Sequence, residues 1–250
     1  MLKELSLKGK SALVTGGGTG LGYGIARELI DLGAEVIIAG RRKDVLMQSA
    51  KELGSSWLQM DISDFAALDG FVDEAESLSG GIDILINNAG VQNNKPALDY
   101  DYCDFISMYD ANLFGPYLLT CKLAKHMEKR GKGAVVFITS AAAHMGLTNN
   151  AAYSGSKGAV SAIVRALSSE LSPKGIRVNA VAPGWIETEL VKESLKRVPE
   201  RRAMVERRAL LGRLGTPKDI GMAVAFLASD AAAYITAVEI KVDGGIAVSL

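Results

Sequence analysis

Tyr153 and Lys157 stand four residues apart in the stretch Tyr153-Ser154-Gly155-Ser156-Lys157, which continues as Gly158-Ala159-Val160-Ser161-Ala162-Ile163-Val164. A helix through this segment stacks the phenol and the ammonium on one face, one turn apart. A phenol with an ordinary pKa of about 10 is a poor acid or base near neutrality, and a nearby cation favours the phenolate and lowers that value. Such a pair can exchange a proton with the oxygen of a carbonyl or an alcohol. A packed tyrosine beside a solvated lysine has the same spacing, so the pair takes its meaning from the elements around it.

Those elements begin with a short apolar run, Ala12-Leu13-Val14, that ends in Thr15-Gly16-Gly17-Gly18-Thr19-Gly20-Leu21-Gly22 and is followed by a helical pattern at Ile25, Ala26, Leu29 and Ile30. Strand, glycine turn and helix in this order form a dinucleotide cradle: the glycines let the backbone approach a pyrophosphate, and the free amides at the helix start meet its charge. The spacing is Thr-Gly-x-x-x-Gly-x-Gly, distinct from Gly-x-Gly-x-x-Gly. The next strand, 35–39, ends at Gly40-Arg41-Arg42, with no acid to bind a ribose 2′-hydroxyl. A small residue followed by two arginines suits a 2′-phosphate instead, so NADP(H) is the expected cofactor. Asp61, with Ile62 after a strand at 56–60, could accept from an adenine amino group or cap the following helix, as Asp64 could; both readings stay open.

Helices are expected over 43–53 and 65–78, and a buried strand over 82–86 that runs into Asn87-Asn88-Ala89-Gly90. Strands alternating with helices at these loop lengths imply a single α/β domain with a doubly wound parallel sheet. The 250 residues can bury a core of that size. Twenty-eight basic and 28 acidic residues balance to zero net charge, which argues against nucleic acid or an anionic membrane as partner. The N-terminal stretch Met1-Leu2-Lys3-Glu4-Leu5 lacks an apolar signal core and no run approaches membrane-spanning length. Cys103 and Cys121 have neither metal-ligand nor disulfide spacing; they read as packing residues of a reduced, cytoplasmic protein, and no metal is expected.

Thr15-Gly16-x-x-x-Gly20-x-Gly22, Asn87-Asn88-Ala89-Gly90 and Tyr153-x-x-x-Lys157 together resemble the short-chain dehydrogenase/reductase family, in that family's order and at its usual separations. The likeness covers nearly the whole chain and implies one Rossmann domain over 1–250 with a seven-stranded sheet. A nucleotide-binding half would span about 1–110 and a catalytic and substrate half about 111–250. It implies hydride transfer at a nicotinamide. Tyr153 would be proton donor or acceptor, Lys157 would lower its pKa and bind the nicotinamide ribose, Ser140 would hold the substrate oxygen, and Asn112 would hold a water joining Lys157 to solvent.

The resemblance also places Gly16, Gly18, Thr19, Gly20, Leu21, Gly22, Arg41, Arg42, Asp61, Ile62, Asn88, Ala89 and Gly90 against the nucleotide. Pro183, Gly184, Ile186 and Thr188 would stand beside the nicotinamide. Strands are expected at 135–140, 177–182 and 239–245, and a helix opening at Thr216-Pro217. The segment 184–214, with Val191, Leu195, Val198 and Met204 at helical spacing, looks like a mobile cover over the substrate. Ala237 departs from the family, which commonly has glycine there. A homotetramer pairing the helices at 113–127 and 159–171 is implied as well.

On the substrate side the resemblance puts Gln92, His144, Met145, Leu147, Asn150 and Trp185. Such a mixed wall suits a 3-oxoacyl thioester, a sugar or polyol, or a cyclic alcohol. The pattern is most similar to NADP-dependent 3-oxoacyl-[acyl-carrier-protein] reductases, whose carrier-binding arginines would match Arg130 and Lys174. A sugar, polyol or cyclic-alcohol dehydrogenase is the alternative. The glycine loop is also similar to dienoyl-CoA reductases, but these lack the tyrosine. A nucleotide-sensing regulator without turnover would have lost a catalytic residue, and none is missing.

Overall fold

A computed structural model of the chain describes residues 3–196 and 199–249, so Met1, Leu2 and the expected cover position Val198 lie outside the described residues. The first half alternates β1 (Ser11–Thr15), α1 (Gly20–Asp31), β2 (Glu35–Gly40), α2 (Lys43–Leu53), β3 (Ser56–Gln59), α3 (Leu68–Ser79) and β4 (Ile84–Asn87). The second half runs α4 (Tyr102–Tyr109), a π turn at Asp110–Phe114, α5 (Gly115–Arg130), β5 (Gly133–Ile138), α6 (Ala151–Leu171), β6 (Ile176–Pro183), α7 (Glu189–Lys196), α8 (Pro199–Arg208), α9 (Pro217–Ala228) and β7 (Glu239–Val242).

The described strands form one seven-stranded sheet in the order β3-β2-β1-β4-β5-β6-β7, and every pairing is parallel. The chain winds outward from β1 to β3, then returns to β4 on the other side of β1. Ligand crevices in such sheets open at this reversal, beyond the carboxyl ends of β1 and β4. Successive strand residues point to opposite faces. Leu13, Ile37, Leu85, Val135 and Val178 pack with α3, α5 and α6, whereas Ala12, Val14, Ile38, Ile84, Val136 and Val181 pack with α1, α2 and α9. This is the expected α/β Rossmann fold, its sheet buried on both faces.

Several expected boundaries move for local reasons. Helix α3 starts at Leu68, not 65, because the Asp64 carboxylate accepts from Ala67 N at 3.3 Å and holds a turn first. Strand β7 stops at Val242: Asp243 accepts from Gly245 N at 2.8 Å and Ala247 N at 3.0 Å, and Gly244 and Gly245 take positive φ. The 184–214 segment holds two helices, α7 and α8. Leu195 and Val205 pack there against Ala141, Leu214 and Ile246, while Met204 is exposed. Ala237 sits at φ 63°, the left-handed region that a glycine occupies without strain. Cys121 packs against the core as expected, but Cys103 is exposed on the first turn of α4, since its helix contributes only Met108 to the interior.

Candidate active site

Helix α6 delivers Tyr153 and Lys157 on one face, and β5 runs out through Thr139 to Ser140. The Ser140 hydroxyl opens a short turn by accepting from Ala142 N at 3.1 Å, and it stands near enough to the Tyr153 phenol to favour the phenolate. Lys157 is buried, its Nζ donates to Ile138 O at 2.8 Å, and that nitrogen stands 5.9 Å from the Tyr153 ring centroid. Burial pushes the lysine down to about 8 from its ordinary 10.5.

The tyrosine departs from expectation. Burial raises the Tyr153 pKa above its ordinary value, and the Ser140 hydroxyl opposes this only in part. Desolvation of the phenolate sets the direction, and Lys157 spends one of its three N–H donors on Ile138 O. Tyr153 therefore keeps its proton through neutral pH.

Asn112 also has a more definite place than its type suggested. It lies in the π turn that joins α4 to α5. Its Oδ1 accepts from Val91 N at 2.7 Å, and its Nδ2 donates to Val91 O at 2.9 Å and to Ser156 Oγ at 3.0 Å. The amide thus ties the loop after β4 to α6 beside Lys157. At Gly90 an added Cβ would meet Asn112 Oδ1 at 2.9 Å and Lys157 Nζ at 3.5 Å, so only glycine keeps this approach open.

The glycine turn and the Asn88 loop are one unit. Thr15 Oγ1 donates to Ile86 O at 3.2 Å and accepts from Asn88 N and Ala89 N, both at 3.0 Å. Asn88 Nδ2 answers by donating to Thr15 O at 2.9 Å and Gly16 O at 3.2 Å. A Cβ at Gly22 would fall 2.2 Å from Gly16 O, so a side chain there would displace the turn.

Beside this unit opens a cleft of about 490 Å³ lined by Gly16, Gly18, Thr19, Arg41, Arg42, Asp61, Ile62, Asn88, Ala89 and Gly90, ten of the expected nucleotide contacts. A dinucleotide fits this lining: bare backbone at the turn, two guanidiniums at the mouth, and a helix start behind. Arg42 donates to Thr19 Oγ1 at 3.2 Å, while the Arg41 guanidinium makes no hydrogen bond among the described residues. Asp61 accepts from Ser63 N at 3.0 Å and Ser63 Oγ at 2.6 Å; these bonds, with Arg41 nearby, hold its carboxyl below the usual range. It thus faces the cleft and does not cap α3.

The remaining expected contacts lie elsewhere. Gly20 begins α1, where a Cβ would stand 3.5 Å from Thr188 Cγ2, so the root of the cover touches the glycine turn. Gly22 and Leu21 belong to α1 itself, Leu21 against the core. Pro183 ends β6, Gly184 N donates to Val242 O at 3.1 Å, and Ile186 bridges to Gly215.

On the substrate side, Gln92 Nε2 donates to Asn150 Oδ1 at 3.2 Å, which brings two expected polar residues together at the start of α6. Trp185 and Met145 pack against the cover cluster. His144 Nε2 meets Glu239 Oε2 at 2.7 Å. Arg130 and Lys174, the expected carrier contacts, are both paired with carboxylates. Arg130 binds Glu76 with two bonds of 2.6 and 3.2 Å and Ile82 O at 2.6 Å, and Lys174 pairs with Glu128 at 3.1 Å. The Arg130 bonds tie α5 to α3 and to the chain before β4, whereas the Lys174 pair is exposed on the surface.

Thr15, Ser156, Thr139, Ser161 and Glu239 were not among the expected site residues, although they position those that were. Only Thr15 carried a signal, by standing at a strand end beside the glycines. Among the described residues no cluster of His, Cys, Asp and Glu could hold a metal, and no helix is long and apolar enough to cross a membrane.

The sequence matches the family described as enoyl-(acyl carrier protein) reductase over residues 16–247. It is 38% identical to 2-dehydro-3-deoxy-D-gluconate 5-dehydrogenase of Pseudoalteromonas atlantica, across 98% of each chain. The structure of gluconate 5-dehydrogenase from Burkholderia cenocepacia in complex with NADP and tartrate superposes with a TM-score of 0.94 at 30% identity, covering 100% of this chain and 99% of that one. A 7α-hydroxysteroid dehydrogenase complexed with NADH and 7-oxoglycochenodeoxycholic acid superposes at 0.91 with 36% identity, covering 97% and 96%.

Proposed function

The chain belongs to the short-chain dehydrogenase/reductase family, and we propose that it is an NADP(H)-dependent oxidoreductase of a hydroxylated small molecule, a sugar acid, polyol or cyclic alcohol. The observation that carries the reading is the Tyr153 phenol beside the Ser140 hydroxyl and one turn above buried Lys157, near a cleft suited to a dinucleotide. When bound, the nicotinamide supplies or takes the hydride at the substrate carbon.

The chain's own groups do the rest. Gly16, Gly18 and the start of α1 would hold the pyrophosphate, with Gly22 letting the turn pack closely, and Arg41 with Arg42 would hold a 2′-phosphate. Ser140 holds the substrate oxygen. Tyr153, kept protonated by burial, gives its proton to that oxygen in reduction. Lys157 stays mostly charged at neutral pH with a pKa of about 8 and is held under Tyr153 by Ile138 O. In the oxidative direction Tyr153 must first lose its proton, so oxidation rises and reduction falls as the solution turns alkaline. Asn112 keeps α6 and the loop after β4 in register around these groups.

Three features favour a hydroxylated substrate over a 3-oxoacyl thioester. The pair Gln92 and Asn150 makes the wall polar, Arg130 and Lys174 are engaged by carboxylates, and relatives of the same length are named for gluconates. The reading includes a reducing cytoplasmic setting, supported by two free cysteines, and a homotetramer, supported by exposed Phe114 and Tyr117 at the start of α5. The test is NADPH and NADH oxidation with keto-aldonates, cyclic ketones, a 7-oxosteroid and an acetoacetyl thioester. NADPH-dependent turnover of a hydroxylated ketone is expected. Turnover confined to the thioester contradicts the substrate class, and preference for NADH contradicts the role of Arg41.

A further inference from the structure

Glu239 carries three partners from three parts of the site. Its Oε1 accepts from the Thr139 hydroxyl and from Ser161 Oγ at 2.9 Å, and its Oε2 meets His144 Nε2 at 2.7 Å. The carboxylate stands on β7 opposite Ala180 of β6, with 15% of its side chain exposed. Thr139 immediately precedes Ser140, and His144 ends the turn that Ser140 opens. One carboxylate therefore holds both ends of the turn carrying Ser140. Ser161 lies one turn beyond Lys157 and two beyond Tyr153 on the same face of α6. The third bond ties that turn to the helix carrying the other two groups.

We propose that Glu239 is a positioning residue: it sets where Ser140 stands relative to Tyr153 and fixes His144 as the Nε2–H tautomer. The inference rests on the reading of Ser140 and Tyr153 as the groups that meet the substrate oxygen. An ionised carboxylate only accepts hydrogen bonds, and three donors can converge on it only if His144 donates from Nε2. The partners differ in what they keep without it. Thr139 Oγ1 also reaches Val181 O at 3.1 Å, and Ser161 Oγ reaches Lys157 O at 3.2 Å. The His144 imidazole has no second partner among the described residues, so loss of the carboxylate frees the far end of the turn first.

Glu239→Gln is nearly isosteric and separates charge from shape. Its amide oxygen can still accept from both hydroxyls, but its NH₂ faces His144 Nε2, which must then become an acceptor. The chain has two histidines, so a His126→Gln background assigns the spectrum. Long-range ¹H–¹⁵N spectra at about pH 8, above the ordinary imidazole pKa, are expected to show Nε2–H in the wild type and Nδ1–H in E239Q. With the best ketone of the panel, kcat is expected to fall about tenfold in E239Q while NADPH affinity and the melting temperature hold.

Unchanged His144 resonances, or a kcat within about twofold of wild type, overturn the proposal. Should E239Q not fold, His144→Ala releases only the far end of the turn; the same loss of kcat is expected, and full kcat overturns the proposal. A wild type that turns over no ketone refutes the proposed reaction instead, and the tautomer spectra still decide the Glu239–His144 pairing.

Discussion

Lys157→Met exchanges a buried ammonium for an apolar chain of similar reach, and the protein should become more stable while losing activity. Burial holds the Lys157 pKa at about 8 against 10.5 in the unfolded chain. Each unit corresponds to about 1.4 kcal/mol, so the charged lysine costs the fold about 3 kcal/mol wherever both states are protonated. Removing it orphans Ile138 O, whose lost hydrogen bond offsets about 1–2 kcal/mol. The net gain near pH 7 is about 1–2 kcal/mol, or a rise of about 4 °C in a chain of this length. Because the folded pKa is depressed, the cost is full below about pH 8 and disappears as pH rises toward the unfolded value. The advantage of the variant should therefore shrink between pH 8 and 10.5. Urea unfolding of both proteins across that range checks the magnitude and the slope. A variant no more stable than wild type at pH 7, with a difference independent of pH, refutes the argument that burial sets this lysine.

Three further outcomes follow from the geometry. Gly22→Ala forces a Cβ to within 2.2 Å of Gly16 O, and NADPH affinity in a fluorescence titration should drop by about tenfold or more while the far-UV spectrum is kept. Asn112→Ala leaves the Val91 amide and carbonyl without their partner and should cost about 2–4 kcal/mol in denaturant unfolding. Ala237→Gly relieves a left-handed alanine worth about 1–2 kcal/mol against about 0.5–1 kcal/mol of added chain entropy, so the melting temperature should rise slightly.

The alternation of apolar runs and helical patterns was enough to read the winding of the sheet, since the central strands β1, β4, β5 and β6 are buried on both faces and their composition says so. The glycine turn was equally legible, because only glycine tolerates the contacts at Gly16 and Gly22. Boundaries set by side-chain hydrogen bonds, such as the delayed start of α3, were not. Neither was the direction of the Tyr153 pKa: local spacing brings a cation near, but burial, which spacing does not reveal, raises the value. Charge partners were not legible either. Arg130 and His144 read as free groups at a helix end and a pocket wall, and the carboxylates that claim them, Glu76 and Glu239, lie 54 and 95 residues away.

Tyr153→Phe removes one oxygen from the site and leaves the ring, the brace at Asn112 and the nucleotide cleft in place. NADPH oxidation by this variant and by the wild type, measured on the best ketone of the panel, is the most direct test of Tyr153 as proton donor. A fall in kcat of about 100-fold or more with NADPH affinity retained is the predicted result. A variant that keeps its rate within a few fold contradicts the account, since the proton would then come from elsewhere.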